Sequence, residues 1–438
     1  MLPRFSGSKA PPVSYPKCPV PENCSVISLR QFVYAYFGRL DRCLGACSII
    51  ISEAVNHSFK MGHFVDYSSR RLSFTFPLRY DLCMNNLLSP ARLGDLTLKN
   101  RIVMAPMTRA RAEAARIPND LMAQYYAQRA TAGLILTEAT VVTPQGIGYA
   151  DTPGIWSKEQ VEGWKKTTTA VHKKGGLIFL QLWHVGRISD PMFLNGDLPV
   201  APSAIAPKGN ISLVRPEKAF VVPRALERSE IPGIIEAYRQ GARNAKLAGF
   251  DGVEIHGANG YLPAQFLQSS TNRRKDDYGG PVENRAKFLL QAADAAVEAW
   301  GPERVGVHLS PRGDVHDMGD ENPKETFGYV ARELGKRKIA FIFLREAQGE
   351  GYLTPYLKAQ FGGTVIANQG LTPKLAETLV QEKTADLVSF GMLYISNPDL
   401  VERVRAGAPF NEVNASTIYA QGATGYSDYP FLDVPPKN

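Results

Sequence analysis

Eight short apolar segments, each followed by a stretch with helical periodicity, constrain the fold of this chain more than any other feature. The segments are continuously apolar rather than alternating, which is the pattern of β-strands buried on both faces. They occupy residues 102–107, 134–140, 177–183, 252–256, 305–309, 341–344, 365–367 and 387–390. Eight strand–helix repeats predict an α/β protein of the (β/α)₈ class, a TIM barrel of parallel strands inside a ring of helices.

Three connecting segments of this region also carry local signals. Residues 92–98 are expected to form a hairpin whose turn is Gly94-Asp95. Residues 230–248 are expected to be a helix, with Ser229 capping its start and Gly249 ending it. Residues 184–228 are long and rich in Pro and Gly, so we expect an excursion after the third strand that covers the barrel mouth as a lid or a hairpin.

The distribution of cysteine and charge excludes several classes of site. All five cysteines precede Met84, so residues 84–438 cannot carry a catalytic thiol or an iron–sulfur cluster. We expect no metal site, because His and carboxylate residues do not cluster at the predicted strand ends. The net charge of +8 is scattered, and the first 83 residues hold ten Lys and Arg against five Asp and Glu. We therefore expect no nucleic-acid partner, and no segment approaches the ~20 apolar residues of a membrane span.

Residues 1–83 differ from the remainder in lacking any sustained periodicity. We predict two parts: an N-terminal extension at residues 1–83, unrelated to the barrel, and the barrel at residues 84–438. The extension is poor in acidic residues and contains Arg39, Arg42, Arg70 and Arg71. Three explanations stay open: a disordered segment, an organelle transit sequence, or translation from an upstream start codon.

Polar residues follow the predicted strands at the end of the barrel where active sites lie. His256 and Asn259 stand three residues apart after the fourth strand, so both can donate to a single oxygen atom. The other strand ends are Pro106-Met107-Thr108, Glu138-Ala139-Thr140, Gln181-Leu182-Trp183, His308-Leu309-Ser310, Asn368-Gln369-Gly370 and Gly391-Met392.

Two segments resemble the signature of the Old Yellow Enzyme family. They are His256-Gly-Ala-Asn259-Gly-Tyr261-Leu and Asn272-Arg-Arg-Lys-Asp276-Asp-Tyr278-Gly-Gly. The agreement extends from Asn86 to about Arg405 and includes Asn397-Pro-Asp-Leu after the eighth strand, so it covers a whole domain. The resemblance implies a barrel that binds FMN.

The resemblance also implies catalytic roles for three residues. His256 and Asn259 would hold the carbonyl or nitro oxygen of a substrate over the flavin, because donors aimed at an oxygen that gains negative charge stabilise the transition state. Tyr261 would donate a proton to the substrate carbon opposite the hydride. Trp183 would wall the substrate pocket.

A larger set would hold the cofactor. Thr108 would bind the flavin C4 oxygen, Gln181 would contact the pyrimidine edge, and the loop after the seventh strand would help to bind the phosphate. The residues implied as cofactor-binding are Pro106, Met107, Thr108, Ala139, Gln181, His308, Asn368, Gln369, Gly370, Gly391 and Met392.

Two positions depart from the family pattern. His308 stands where the family often has an arginine near the flavin N1–O2 edge, and its imidazole need not be charged at neutral pH. Met392 stands where the family often has an arginine that binds the FMN phosphate. One hypothesis is that Arg345 supplies the missing charge at the phosphate.

The implied function is reduction of activated C=C bonds by NADPH or NADH through bound FMN. Enones and maleimides are the expected acceptors, with nitro compounds and quinones as further candidates. No Gly-rich dinucleotide motif follows any strand, so we expect the nicotinamide to bind in the substrate pocket. The alternative is a flavin-free barrel, or an FMN-binding module without this activity. We expect a cytoplasmic monomer or homodimer.

Overall fold

The computed structural model describes residues 86–432, and the predicted extension at residues 1–83 lies outside them. The strands are β1 (Ala91–Leu93), β2 (Leu96–Leu98), β3 (Ile102–Met104), β4 (Leu134–Leu136), β5 (Thr140–Val141), β6 (Ile178–Trp183), β7 (Val200–Ala201), β8 (Arg224–Ala225), β9 (Gly252–Gly257), β10 (Val305–Leu309), β11 (Phe341–Arg345), β12 (Thr364–Asn368) and β13 (Leu387–Phe390). The α-helices are α1 (Asp120–Gln128), α2 (Lys158–Lys173), α3 (Ile231–Leu247), α4 (Leu262–Leu267), α5 (Val282–Trp300), α6 (Pro323–Lys336), α7 (Thr354–Phe361), α8 (Pro373–Gln381), α9 (Met392–Ser396) and α10 (Leu400–Ala406).

Eight parallel strands close into a barrel. Their order around the barrel is β3, β4, β6, β9, β10, β11, β12 and β13, and β13 pairs again with β3. Each predicted apolar segment overlaps one of these strands, and helices connect each strand to the next. The predicted (β/α)₈ barrel is therefore confirmed.

The barrel interior explains why the strands are apolar on both faces. Phe179, Phe341, Phe343 and Ile366 form one buried cluster inside it. The predicted hairpin is also confirmed, since β1 and β2 pair antiparallel, and its side chains Ala91, Leu93 and Leu98 join this cluster. The hairpin therefore packs onto the interior of the barrel and shields it from water.

One predicted strand is split in the structure. The segment 134–140 divides into β4 and β5, because the chain leaves the ladder at Glu138. The Glu138 N–H donates to the Tyr126 hydroxyl at 2.8 Å, and its carboxylate accepts from the N–H groups of Arg109 and Ala110. The side chain thus ties the end of this strand to the loop after β3.

The predicted cap of α3 was wrong, although the helix itself is present. Glu230, not Ser229, immediately precedes α3, and its side chain does not cap the helix. The Glu230 carboxylate instead binds Arg224 and the N–H of Glu227, which fixes the turn into the helix. The other end is as expected, with Gly249 in the left-handed region at φ +82°.

The excursion between β6 and α3 lies partly over the barrel mouth. It contains the short parallel pair β7–β8 and an antiparallel bridge between Asn210 and Ala219. The buried Arg187 ties it down, because its guanidinium donates to the carbonyls of Ile205 and His316. The expected hairpin is therefore present in the part of the excursion around residues 210–219.

Buried arginines hold the C-terminal segment against the barrel. Arg111 donates to the carbonyls of Thr417, Ile418 and Thr424 at 2.7–3.2 Å. Arg109 donates to the Gly425 carbonyl at 2.6 Å. The segment thereby carries residues 417–426 back to the loop after β3. No helix within residues 86–432 combines the length and apolar character needed to cross a bilayer.

Candidate active site

The loop after β9 presents the three predicted catalytic residues on one turn. His256 is the penultimate residue of β9, and Tyr261 immediately precedes α4. The chain reverses between them through Asn259 at φ +55° and Gly260 at φ +76°. Asn and Gly are the residues that adopt this left-handed conformation most readily. The sequence thus sets the turn that brings His256 and Tyr261 edge to face, with ring centroids 4.9 Å apart.

A second histidine lies against the first. His256 and His308 are register partners on β9 and β10, and their rings stack with centroids 5.0 Å apart. Burial, together with the charges of Arg345 and His316, lowers the pKa of His256 to about 3. Burial, then His256 and Arg345, lower the pKa of His308 well below its usual value. Both imidazoles are therefore neutral at physiological pH.

Gln181 fixes the tautomer of His308. The Gln181 amide Nε2 lies 3.2 Å from His308 Nδ1 and 2.7 Å from Glu254 Oε2, so it donates to both. Since Nδ1 accepts, the His308 proton resides on Nε2. That Nε2 is buried and has no hydrogen-bond partner among residues 86–432, and neither has His256 Nδ1.

Glu254 is a buried acid that the sequence analysis did not single out. It lies wholly inside the barrel, where burial, partly offset by the hydrogen bond from Gln181, raises its pKa to about 8. It therefore stays largely protonated at neutral pH. The signal that could have identified it is an acidic residue within the continuous apolar run of β9, where each neighbour is buried.

Asn259 is held by three neighbours. Its N–H donates to the Ser310 hydroxyl at 3.0 Å, and its carbonyl lies 2.7 Å from His316 Nδ1. Its side-chain Oδ1 accepts from Arg345 Nη1 at 2.6 Å. Because Oδ1 faces Arg345, the amide Nδ2 is the atom left to donate to a ligand.

Tyr261 belongs to an aromatic cluster. Its hydroxyl lies 3.0 Å from that of Tyr149, and its ring meets Trp183 edge to face at 5.0 Å. Burial, together with Tyr149, raises the pKa of Tyr261 well above its ordinary value, so the phenol keeps its proton. Trp183 is fully buried and does not line the cavity beside Tyr261, so its role as a pocket wall stays a prediction.

Most of the expected cofactor residues line one cavity of about 620 Å³ at the C-terminal ends of the strands. Asn259 and Arg345 line it too. Two expected residues do not: Ala139 packs in the cluster with Trp183, and Gln181 reaches the site through His308. The expected residues that do line it are Pro106, Met107, Thr108, His308, Asn368, Gln369, Gly370, Gly391 and Met392.

The residues present fit FMN. The unpartnered His308 Nε2 is a buried donor, and buried donors in folded proteins find an acceptor, which a flavin pyrimidine edge provides. Beyond β12 and β13, the loop at Gln369-Gly370 and the start of α9 provide backbone N–H groups where (β/α)₈ barrels commonly bind phosphate. FMN would therefore be held by these residues with its ring near His308.

A second cavity of about 520 Å³ adjoins the first. The two share Thr108 and Tyr419, and the second is lined by Tyr261, Tyr149 and hairpin residues including Ser212. Tyr149 and Tyr419 are not among the site residues predicted from the sequence. Both lie in loops far from β9 along the chain, and no local spacing links them to Tyr261.

Comparison with known proteins agrees with this geometry. Residues 86–411 match the model of the NADH:flavin oxidoreductase / NADH oxidase family. A 12-oxophytodienoate reductase 1 of Oryza sativa subsp. japonica is 43% identical over 364 residues, which are 79% of this chain and 93% of the relative. A Leishmania infantum protein described as a probable flavin mononucleotide-dependent alkene reductase is 41% identical over 358 residues, covering 79% and 97%.

Two solved structures are also similar to this chain in sequence and fold. The Old Yellow Enzyme homologue of Zymomonas mobilis is 43% identical with a TM-score of 0.78, covering 80% of this chain and all of its own. Morphinone reductase in complex with tetrahydroNAD is 46% identical with a TM-score of 0.77, covering 80% and 98%. The chain therefore belongs to the NADH:flavin oxidoreductase / NADH oxidase family, that of Old Yellow Enzyme, and is an FMN-dependent oxidoreductase that uses NAD(P)H to reduce activated C=C bonds.

Proposed function

We propose that His256 and Asn259 together bind the carbonyl oxygen of an enone or maleimide. Both side chains come from one turn, and the bond from Arg345 to Asn259 Oδ1 leaves the Nδ2 hydrogens for the substrate. His256 is neutral, so it contributes an N–H donor rather than a cation. Donors fixed in place before the reaction stabilise negative charge that develops on that oxygen.

Tyr261 is the proton donor in this proposal. Its raised pKa keeps the phenolic proton at neutral pH, and the phenol lines the second cavity. When bound by the residues that line the first cavity, FMN would supply the redox chemistry, namely hydride transfer from NAD(P)H to the alkene. Tyr261 then gives its proton to the other alkene carbon, and Tyr149 is placed to return one through the 3.0 Å contact.

The reductant and the finer acceptors are further parts of the proposal. NADPH or NADH is expected to bind through the second cavity, and a relative solved in complex with tetrahydroNAD supports a nicotinamide reductant. Nitro compounds and quinones present the same type of oxygen as enones and can use the same donors. We further propose a cytoplasmic enzyme that acts as a monomer or homodimer.

The proposal rests on one observation. His256, Asn259 and Tyr261 lie on one turn, with Asn259 lining the first cavity and Tyr261 lining the second. His256→Ala tests it, with the reduced enzyme reoxidised either by 2-cyclohexenone or by ferricyanide. Removing one preorganised donor is expected to slow the enone reaction by about 10²-fold or more. Ferricyanide needs no oxygen-binding pair, so its rate should not change. Equal slowing with both oxidants would contradict the assignment.

A further inference from the structure

Arg345 crosses from one strand to the strand after next. It is the last residue of β11, yet its Nη1 donates to Asn259 Oδ1 in the loop after β9, at 2.6 Å. Since β10 lies between β9 and β11 in the barrel, the guanidinium passes above the end of β10, where His308 lies. Arg345 and His308 line the same cavity.

The charge of Arg345 is not neutralised by a carboxylate within residues 86–432. The neighbouring Glu346 is engaged elsewhere, because its carboxylate binds Arg312 Nε at 2.6 Å and accepts from the N–H groups of Leu353 and Thr354. A guanidinium has five donor hydrogens, and the described bond to Asn259 uses one. Arg345 therefore presents a positive charge and spare donors to the cavity.

We propose that Arg345 is the cation that stabilises reduced FMN in this enzyme, supplied from β11 in place of a charged residue at the end of β10. His308 donates a hydrogen bond from Nε2 but carries no charge. A two-electron-reduced flavin bears negative charge on its pyrimidine half, and a guanidinium held near that half favours the reduced form. This inference rests on FMN being the cofactor and goes beyond the roles proposed above.

Arg345 could act at two places on FMN, the pyrimidine half of the flavin or the phosphate. The sequence alone offers Arg345 as a substitute for a phosphate-binding arginine, because Met392 stands where the family often has that arginine. Its observed bond to Asn259 places one donor beside the catalytic turn and the two stacked histidines instead. The same bond makes Arg345 a positioning residue for the Asn259 amide.

The test is the reduction potential of bound FMN in the holoenzyme, measured by equilibration with a redox dye. Arg345→Gln keeps a polar amide side chain at this position but removes the charge. The affinity of this variant for reduced FMN, relative to oxidised FMN, is expected to fall about tenfold or more. For two electrons this lowers the reduction potential by about 30 mV. Arg345→Lys should keep a potential close to that of the unmodified enzyme. The double variant His308→Arg/Arg345→Gln should regain it, because the cation returns from β10.

Affinity for FMN and riboflavin completes the design, since riboflavin differs only in lacking the phosphate. The proposal predicts that Arg345→Gln leaves the ratio of the two dissociation constants unchanged, even where the variant is isolated without flavin. An unchanged potential in Arg345→Gln would overturn the proposal. Selective loss of FMN affinity over riboflavin affinity would also overturn it, in favour of a phosphate contact.

Discussion

The hydroxyl oxygens of Tyr261 and Tyr149 lie 3.0 Å apart, although the residues are 112 positions apart in the chain. Burial raises the pKa of both phenols, so both are protonated at neutral pH. Tyr149 lines the second cavity together with Ser212 of the hairpin. The tyrosine pair therefore lies between the proposed proton donor and the part of the excursion that lines the site.

Tyr261→Phe is expected to slow reoxidation of the reduced enzyme by 2-cyclohexenone by about 10²–10⁴-fold, because it removes the proposed proton donor. Reduction of the enzyme by NADPH requires no such proton, so its rate should be retained in stopped-flow measurements. Tyr149→Phe keeps Tyr261 and should have a smaller effect on the same step. If reoxidation by 2-cyclohexenone is slower in Tyr149→Phe than in Tyr261→Phe, then Tyr149 is the proton donor.

Met392→Arg is expected to tighten FMN binding, because a guanidinium forms paired hydrogen bonds to phosphate. Met392 is 45% exposed at the start of α9, so the larger side chain can be accommodated there. The gain should be about tenfold or more for FMN, a charged hydrogen bond contributing about 1.5–3 kcal/mol. Riboflavin affinity should not change, and Met392→Leu is the neutral control. An arginine variant that binds FMN no more tightly would mean that the phosphate does not approach this position.

Glu254→Gln is expected to make stability less dependent on pH. The pKa of Glu254 is about 8 in the folded protein and near 4.5 in the unfolded chain, so only the unfolded chain loses this proton between these values. Stability of the unmodified enzyme should therefore fall as pH rises from about 4.5 to about 8, relative to the variant. Urea unfolding of both holoenzymes at pH 6 and pH 8.5 measures the difference. Glu321→Gln, at an exposed position, should show no such effect.

Arg111→Met is expected to loosen the C-terminal segment that carries Tyr419. The carbonyls of Thr417, Ile418 and Thr424 lose their donor, at a cost of about 1–3 kcal/mol. Hydrogen exchange of the amides at residues 417–426 should accelerate, and KM for enones should rise because Tyr419 lines both cavities. Arg111→Lys should be intermediate. Unchanged exchange in Arg111→Met would show that this segment is held by other contacts.

The barrel could be predicted because its constraint is local. Each of the eight strands is buried on both faces, and that burial requires an apolar run that is visible in the sequence. The prediction failed where side chains bind backbone groups outside the regular pattern. The Tyr126 hydroxyl accepts the Glu138 N–H where the second strand divides. No side chain caps α3, and the Glu230 carboxylate binds Arg224 and the N–H of Glu227 instead.

The candidate site could be predicted in part for the same reason. His256, Asn259 and Tyr261 share one turn, so their spacing carries their geometry. Tyr149 approaches Tyr261 only because the loops fold together, and Arg345 reaches Asn259 only by crossing above β10. Contacts between strand ends depend on side-chain direction, which the spacing of one sequence does not reveal.

The most direct test of the account is a visible spectrum of the purified protein, recorded without oxygen before and after NADPH and then after 2-cyclohexenone. The account predicts a yellow protein whose flavin absorbance is bleached by NADPH and restored by the enone. A protein that stays colourless when FMN is added would contradict cofactor binding by this cavity. A flavin that NADPH bleaches but the enone does not restore would contradict the roles given to His256, Asn259 and Tyr261.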